Sequence, residues 1–338
     1  MTARPKLLFT VDVEEDMPDW RITDPVTVEN IRSMPALDRA VRDVGVCPTY
    51  LCNYPVMADG EASEIMANLG SPEGGEIGTH LHPWNTPPYP GIPGVEGDER
   101  QMPYYMSALG GERFRAKLDV LHARIIEVTG RAPVSFRAGR YGISEATMAE
   151  LIALGYTVDT SVTPLSEHTA DGGPDFRRAP QLPYRPSRTD LQVPGDAEIL
   201  EIPVSVALTR KVPRSLANAY VRIPSWTRLR GILSSDYLGL VDFAWLYPVR
   251  FGIDEMKAAA ERLVEMGSPV LNMFLHSSEA HPGVSGRIKT QADVDACTER
   301  LVQLARFCVE ELGAVPATLE EAGTALRPDF GLTPSLSA

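Results

Sequence analysis

The sequence is short of positive charge and has no long apolar run, and both absences restrict what the protein can bind. Its 32 Lys and Arg residues are outnumbered by 45 Asp and Glu residues, which gives a net charge of −13. This balance argues against nucleic acid and against anionic membrane surfaces as main partners. No apolar run approaches the length of a membrane span, and the opening MTARPKLLFTVD has too few apolar residues for a signal-peptide core. We therefore expect no stable membrane insertion and a cytoplasmic location, and the composition is compatible with an oligomer.

Cysteine is also scarce in this chain. The four cysteines are Cys47, Cys52, Cys297 and Cys308. They form no CxxC pair, and three of the four sit in apolar surroundings. Buried free thiols are therefore expected rather than zinc ligands or a disulfide framework. The hydrophobic content of 43% is enough for a sizeable core, in one large domain or two ordinary ones.

Strand-like and helix-like segments alternate along most of the chain. The patterns predict strands at 7–13, 49–52, 76–82, 134–138, 156–162, 199–206, 270–276 and near 315, and helices at 34–44, 62–69, 112–128, 145–154, 254–266 and 291–312. Repeated strand–helix units predict parallel strands with helices outside, as a closed or partly closed barrel or an open doubly wound sheet. No glycine-rich phosphate loop follows the first strand, which disfavours a nucleotide-binding sheet.

Three parts of the sequence interrupt this alternation. The Pro/Gly-rich passage 83–103 is predicted to be loop, 163–195 reads as a long excursion, and 210–247 has no clean period. There is no internal repeat and no linker between two cores. We therefore predict one domain over residues 5–323 with an insertion at about 163–250, followed by a loosely ordered tail, 324–338.

The first predicted strand ends in a cluster of acids, LLFTVDVEED. Side chains of a strand alternate in direction, so Asp12 and Glu14 leave the same face. Two carboxylates at the end of a buried strand are costly unless a metal, a cation or a proton compensates them. Taken alone, the cluster is explained equally well as a solvated acidic loop.

A pair of histidines ends the third predicted strand, in GTHLHPW. His80 and His82 are two apart, so on an extended segment their imidazoles share a face and can reach one ion. A lone HxH is more often two ordinary hydrogen-bonded histidines. However, functional groups of parallel-strand folds collect at the carboxyl ends of the strands, where Asp12 and Glu14 also lie. A carboxylate with two imidazoles suits a catalytic zinc or a similar divalent metal.

Five motifs together resemble those of the NodB-type polysaccharide deacetylases, that is, carbohydrate esterase family 4 and its relatives. They occur in the family's order over residues 7–320: FTVDVE, EIGTHLHPW, SFRAGRYG, YTVDTS and MFLHSSEAHPG. The resemblance implies a single-domain α/β fold, a distorted (β/α) barrel with fewer strands than the usual eight. It also implies a hydrolase that uses a divalent metal, with Zn²⁺ the first candidate, to remove N- or O-acetyl groups from sugars or glycan precursors.

The resemblance also implies a role for each site residue. Asp12 is the base, His276 the acid and Arg137 the partner that orients the base; Glu14, His80 and His82 are metal ligands; Trp84, Arg140 and Tyr141 contact substrate. The family's usual motif has adjacent aspartates, whereas Val13 separates Asp12 from Glu14 here, as in the DxE branch. Asp12 could itself bind the metal. The family's histidines lie four apart, but Trp84 occupies that position, so His82 is taken as the second ligand.

Two further acids and two further functions belong to this set of hypotheses. Glu279 and Asp159 are candidate partners for His276 or Arg137. One alternative function is a metal-dependent amidohydrolase acting on a non-sugar C–N bond, and nothing in the sequence separates it from a deacetylase. The other is a non-catalytic carbohydrate-binding relative, which would have no need of both an acid and a base.

Overall fold

The fold is built on a parallel sheet. The computed structural model describes residues 4–18, 21, 25–71, 74–89, 104–210, 223 and 242–333. The strands of these residues are β1 (Lys6–Val13), β2 (Pro48–Cys52), β3 (Glu76–Leu81), β4 (Ser135–Ala138), β5 (Val158–Asp159), β6 (Leu200–Glu201), β7 (Val206–Leu208), β8 (Phe243–Trp245), β9 (Val270–His276) and β10 (Val315–Pro316). The wall runs in the order β9-β1-β2-β3-β4-β5-β6, with β10 joined to the beginning of β1, while β7 and β8 form a separate antiparallel pair. The predicted distorted (β/α) barrel is confirmed.

Helices follow most strands of this wall. Among the described residues they are α1 (Met34–Arg42), α2 (Tyr54–Ala58), α3 (Gly60–Leu69), α4 (Gly111–Thr129), α5 (Glu145–Ala153), α6 (Ile253–Glu265), α7 (Gln291–Glu310) and α8 (Leu319–Leu326). The hydroxyls of Ser144, Thr290 and Thr318 cap α5, α7 and α8 by accepting from an amide of the first turn. None of the helices in the described ranges combines the length and the apolar character that a bilayer crossing requires.

The longest strand of the wall, β1, is buried almost throughout. Its residues Leu7 to Val13 are all buried, and it pairs in parallel with β2 along one part and with β9 along nearly its whole length. A strand covered on both faces needs a continuous apolar run, which LLFTV supplies. The acids that follow therefore emerge from the middle of the core at the carboxyl edge of the sheet.

The barrel wall is incomplete between β6 and β9. No ladder joins them among the described residues, but two hydrogen bonds between Ser205 and Asn272 cross the gap, and Asn272 Nδ2 also donates to the Pro203 carbonyl (3.4 Å). The Ser205 amide donates to the Asn272 carbonyl (3.3 Å), and the Asn272 amide donates to Ser205 Oγ (2.8 Å). A regular strand cannot continue here because Pro203 has no N–H to donate. Polar bridging thus replaces a strand pairing.

Several predicted boundaries are corrected. The segments predicted as strands at 156–162 and 199–206 contribute only β5 and β6 to the wall, and the second is interrupted by Pro203. The short helix α2 was not predicted. Most of 210–247, the part of the predicted loop from 90 to 103, and residues 334–338 lie outside the described residues.

The prediction of a loosely ordered tail is wrong for residues 324–333. Helix α8 continues to Leu326, a 3₁₀ helix follows at Arg327–Phe330, and Leu326 and Leu332 are buried against the core that contains Leu8. The apolar side chains after Gly323 therefore pack this end of the chain against the core, because their burial removes apolar surface from water.

A buried carboxyl group lies beside the beginning of α8. Glu76, the first residue of β3, accepts hydrogen bonds from Thr49 Oγ1 (2.9 Å) and from the Glu320 amide (2.8 Å). Burial disfavours its charged form and outweighs these bonds, so the pKa of Glu76 rises from 4.5 to about 6.

The Glu76→Gln variant is expected to lose one component of the pH dependence of stability. Between pH 4.5 and about 6 the native carboxyl holds a proton that the unfolded chain has released. The wild-type free energy of unfolding therefore falls by about 2 kcal/mol as the pH rises through this window. Glutamine stays neutral, so urea unfolding across the window should show a wild-type minus variant difference that decreases with pH. A constant difference contradicts the assignment, and Glu64→Gln on the exposed face of α3 is the matched control.

Candidate active site

The carboxyl ends of the wall strands surround a cavity of about 370 Å³. Seven of the nine predicted site residues line it, the exceptions being Arg137 and Trp84. Strand register explains part of this convergence, because Asp12 of β1 pairs with His276 of β9 and His80 of β3 pairs with Arg137 of β4. The backbone ladders therefore bring together side chains that are far apart in sequence.

Three of these side chains form a candidate metal centre. Glu14 Oε2 lies 3.4 Å from His80 Nε2 and 3.3 Å from His82 Nε2, and the two Nε2 atoms are 2.9 Å apart. All three residues are buried. A tetrahedral ion with bonds of about 2.0–2.1 Å keeps its ligand atoms roughly 3.3 Å apart. The spacing of the three atoms is close to what such an ion requires.

The far side of each imidazole fixes which nitrogen faces the centre. His80 Nδ1 lies 3.0 Å from the Arg137 carbonyl, and His82 Nδ1 lies 3.2 Å from both carboxylate oxygens of Glu15. These oxygens only accept, so each Nδ1 donates. In the neutral form that a metal ligand requires, each ring then turns an Nε2 lone pair towards Glu14. Two lone pairs at this separation repel unless a cation or a proton lies between them.

The charge balance of the centre supports the same conclusion. Although burial opposes it, the two histidines hold the pKa of Glu14 well below its usual range. Burial also disfavours charge on His82, yet Glu15 and Glu14 raise the pKa of His82 to about 10. Glu14 Oε1 is buried without a hydrogen-bond partner in the described structure. An excess of buried negative charge with an unused oxygen fits a divalent cation.

Glu15 has a structural role that sequence reasoning missed. Its buried carboxylate accepts from Trp84 Nε1 (2.9 Å) and from Asn53 Nδ2, in addition to holding His82. Residues 14–17 lie beyond the end of β1, so strand alternation gave no reliable direction for this side chain. The only signal was its place in an acidic run at the end of a buried strand.

The predicted contact of Trp84 with substrate is corrected by its position. The indole is 5% exposed, and its ring stacks on His82 with centroids 4.3 Å apart. It therefore packs behind a metal-ligand candidate instead of lining the cavity. Trp84 stands four residues after His80 and supports the His82 ring from the side that faces away from the cavity.

The predicted ion pair between Asp12 and Arg137 is present. Arg137 Nη1 donates to Asp12 Oδ1 at 2.6 Å, and the guanidinium is fully buried. Further bonds run to Thr10 Oγ1 (2.8 Å), the Thr160 carbonyl (3.1 Å) and Thr160 Oγ1 (3.3 Å). Arg137 is thus a rigid donor that fixes one oxygen of Asp12 and leaves Oδ2 towards the cavity.

Asp159 does not contact this pair, contrary to one of the predicted possibilities. Its carboxylate accepts from Ser161 Oγ at 2.6 Å, and it lies beside Glu201, its register partner on β6. Burial raises the pKa of both acids, and the neighbouring Asp159 raises that of Glu201 further. The two carboxyls form a separate buried pair behind the site.

His276 lies on the opposite side of Asp12 from Arg137. Its Nε2 is 3.8 Å from Asp12 Oδ2, and its Nδ1 is 3.2 Å from Glu279 Oε2, so the predicted contact with Glu279 is present. Burial would lower the pKa of His276, but Glu279, Glu14 and Asp12 raise it to about 9. Tyr247 donates to Glu279. Sequence reasoning missed this tyrosine because it stands at the end of the aperiodic segment.

The chain takes an unusual conformation after β4. Arg140 and Tyr141 both have positive φ, 53° and 57°, which is unfavourable for residues with a Cβ. This turn places both side chains at the cavity. Gly139 precedes them, and a Cβ there would lie 2.3 Å from His82 Cδ2 and 2.7 Å from the Leu81 carbonyl. Only glycine allows β4 to pass this close to the metal-ligand candidate.

The Gly139→Ala variant is expected to bind divalent metal at least about tenfold more weakly, because the added methyl displaces His82 from its partners. Competition for zinc with a chromophoric chelator measures the change. Gly142→Ala is the control for the loss of a glycine in the same loop. Its added methyl would meet Tyr105 and not His82. Unchanged zinc affinity in Gly139→Ala would contradict the expectation that His82 must keep this position to bind the metal.

Comparison with solved structures identifies the fold as that of the NodB-type polysaccharide deacetylases. A crystal structure designated a polysaccharide deacetylase, from Mycobacterium smegmatis, matches with a TM-score of 0.57 and 17% identity, covering 100% of this chain and 95% of that one. An acetyl xylan esterase of family 4 from Clostridium thermocellum, in complex with cobalt, matches with a TM-score of 0.44 and 12% identity over 98% and 96% of the two chains. A family 4 pseudoenzyme from Bacillus anthracis has a TM-score of 0.42 and 10% identity over 96% and 66%. No family model and no curated protein matches the sequence.

Proposed function

We propose that this protein is a metal-dependent hydrolase that removes an acetyl group from an acetylated sugar or glycan precursor. The observation that carries the proposal is the meeting, in one cavity, of the Glu14–His80–His82 centre with Asp12 on one side and His276 next to it. A site that only binds a sugar has no use for a positioned base and a positioned acid around a metal. The fold shared with a protein designated a polysaccharide deacetylase is consistent with this proposal.

Glu14, His80 and His82 would hold the metal, with Zn²⁺ as the first candidate because a carboxylate and two imidazoles form a donor set that suits it. When bound, a divalent ion supplies positive charge that polarises the acetyl carbonyl and lowers the pKa of a water. Glu15 and the Arg137 carbonyl would keep the two histidines in the correct tautomer.

Asp12 would act as the general base. Arg137 occupies its Oδ1 and orients the carboxylate, so Oδ2 is available to take a proton from the attacking water. Asp12 is not among the residues that converge on the metal centre, which favours Glu14 as the ligand and Asp12 as the base.

His276 would act as the general acid. Its pKa of about 9 keeps it protonated at neutral pH, and Glu279 accepts from Nδ1 so that Nε2 carries the proton towards the cavity. Transfer of that proton to the departing nitrogen or oxygen lets the sugar leave as a neutral amine or alcohol. Water and the acetylated sugar are consumed, and acetate and the free sugar are formed.

Measuring metal content and acetate release tests the proposal directly. The purified protein is stripped with a chelator, reloaded with Zn²⁺ and assayed on N-acetylglucosamine oligomers, O-acetylated xylo-oligosaccharides and a simple non-sugar acetamide. We expect zinc-dependent acetate release from an acetylated sugar. Zinc binding without acetate release from any of them contradicts the deacetylase, and release from the acetamide alone contradicts the sugar substrate.

A further inference from the structure

The cavity carries three arginines that the mechanism does not use. Arg140, Arg250 and Arg287 line it together with the metal centre. Among the residues that the structure describes, no carboxylate pairs with any of them. Arg250 and Arg287 are exposed and Arg140 is half-buried. Three positive charges thus line one cavity of an acidic protein, which favours a negatively charged ligand there.

Arginines elsewhere in the protein do find such partners. Arg32 lies 2.8 Å from Glu61, and Arg177 lies 2.8 Å from Glu167. Ion pairs of this kind occur even on the surface of this chain, where they contribute little to stability. The arginines of the cavity differ from these in having no acidic partner.

The acids of the cavity are already engaged. Asp12 is bound by Arg137, Glu14 faces two histidines, and Asp171 accepts from the Tyr105 hydroxyl at 3.1 Å. Among the described lining residues, Asp171 is the one carboxylate whose hydrogen-bond partner is a neutral group, so the three arginines outnumber it and leave a net positive charge at the lining of the cavity.

Arg140 is held in a way that leaves donors free. Its guanidinium lies over the Tyr104 ring, 4.5 Å from the centroid, and 5.7 Å from that of Trp84. Stacking on aromatic faces fixes the guanidinium while its N–H groups still point outward in the plane. Its Nε is buried without a hydrogen-bond partner, and its backbone has a positive φ of 53°. Strain and an unused buried donor at the same residue mark a ligand-binding side chain.

We propose that the acetylated substrate carries an anionic group, a carboxylate or a phosphate, which Arg140, Arg250 and Arg287 bind while the acetyl group lies at the metal centre. This inference rests on the proposed deacetylase function. Guanidinium groups match both anions because they can donate two parallel hydrogen bonds. The anion would also orient the sugar, since it is bound by groups on the wall of the cavity and not by the reacting residues.

Matched sugars test this substrate class. N-acetylglucosamine, its 6-phosphate and the corresponding N-acetylated uronic acid are compared in acetate release and, with the metal-loaded Asp12→Asn protein, in binding by calorimetry. We expect an anionic sugar to be favoured over the neutral one by at least about tenfold, the value of one charge-assisted hydrogen bond. The phosphate and uronate arms identify which anion is preferred.

Substitution of the two loop arginines shows whether they supply this preference. In the double variant Arg250→Gln/Arg287→Gln the preference should fall to within about twofold, while the neutral sugar is unaffected. Arg306→Gln on the exposed side of α7, outside the cavity, is the charge-matched control. If the wild type binds neutral and anionic sugars equally well and releases acetate from both at equal rates, the inference is overturned but the proposed deacetylase activity is not. If an anionic sugar binds tightly and binding depends on these arginines, but no sugar releases acetate, the anion site is supported and the deacetylase is contradicted.

Discussion

The Asp12→Asn variant is expected to retain its metal and to release acetate about 10³-fold more slowly, as loss of a general base predicts. Asparagine has the same shape and still accepts from Arg137, but it cannot take a proton from water. Zinc content and acetate release, measured on the same preparation, separate the two effects. The metal should remain because Asp12 is not one of the three converging ligands.

Folding must be followed in the same experiment. Arg137 is fully buried and loses its anionic partner in this variant, so stability is expected to fall by up to about 3 kcal/mol. Thermal melting identifies the folded fraction, to which the rate is normalised. Asp329→Asn, an exposed aspartate in the last 3₁₀ helix, controls for the change in net charge. Undiminished acetate release per folded molecule rules out Asp12 as the base.

The His80→Ala variant is expected to lose both zinc and activity. Removing one of three protein ligands leaves Glu14 and His82 unable to hold the ion at micromolar concentration, so affinity should fall by more than about 100-fold. Zinc titration against a competing chelator measures the loss, and acetate release should fall to background. Full metal content and full activity in this variant would refute the assigned centre.

Two comparison variants make this result specific. Glu15→Gln keeps all three ligands but weakens the hold on His82 Nδ1, so zinc affinity should fall by only about 10–100-fold. His122→Ala removes a histidine of α4 that contacts Tyr156 at 3.1 Å and lies outside the cavity. It should bind zinc like the wild type. The order of the three affinities distinguishes a ligand from a supporting residue and from a remote histidine.

The groups that the sequence predicted well lie on regular strands or directly after them, since Glu14 is the first residue beyond β1 and His82 the first beyond β3. Alternation along β1 and β3 placed Asp12 with Glu14 and His80 with His82, and the structure brings these pairs to one edge of the sheet. The pairing of Arg137 with Asp12 could be anticipated because a buried cation needs an anion. Periodicity also located the long helices to within a few residues, since each has one apolar face.

The groups that the sequence did not predict lie where the backbone is irregular. Glu15 lies beyond the end of β1, and Tyr247 stands at the end of the aperiodic segment. No fixed period relates such positions to a direction in space. The direction of the Trp84 side chain could not be predicted for the same reason. This loop residue was expected to contact substrate, but it packs behind His82.

The register of β1 with β9 and of β3 with β4 has a consequence for how this protein can diversify. The reacting groups are fixed by strand pairing, whereas Arg250 and Arg287 lie in connections between elements. Insertions, deletions and exchanges in such connections leave a strand ladder intact. The lining of the cavity and the strand-paired residues can therefore change independently, so a lineage with this scaffold can acquire new ligands without rebuilding the candidate metal centre.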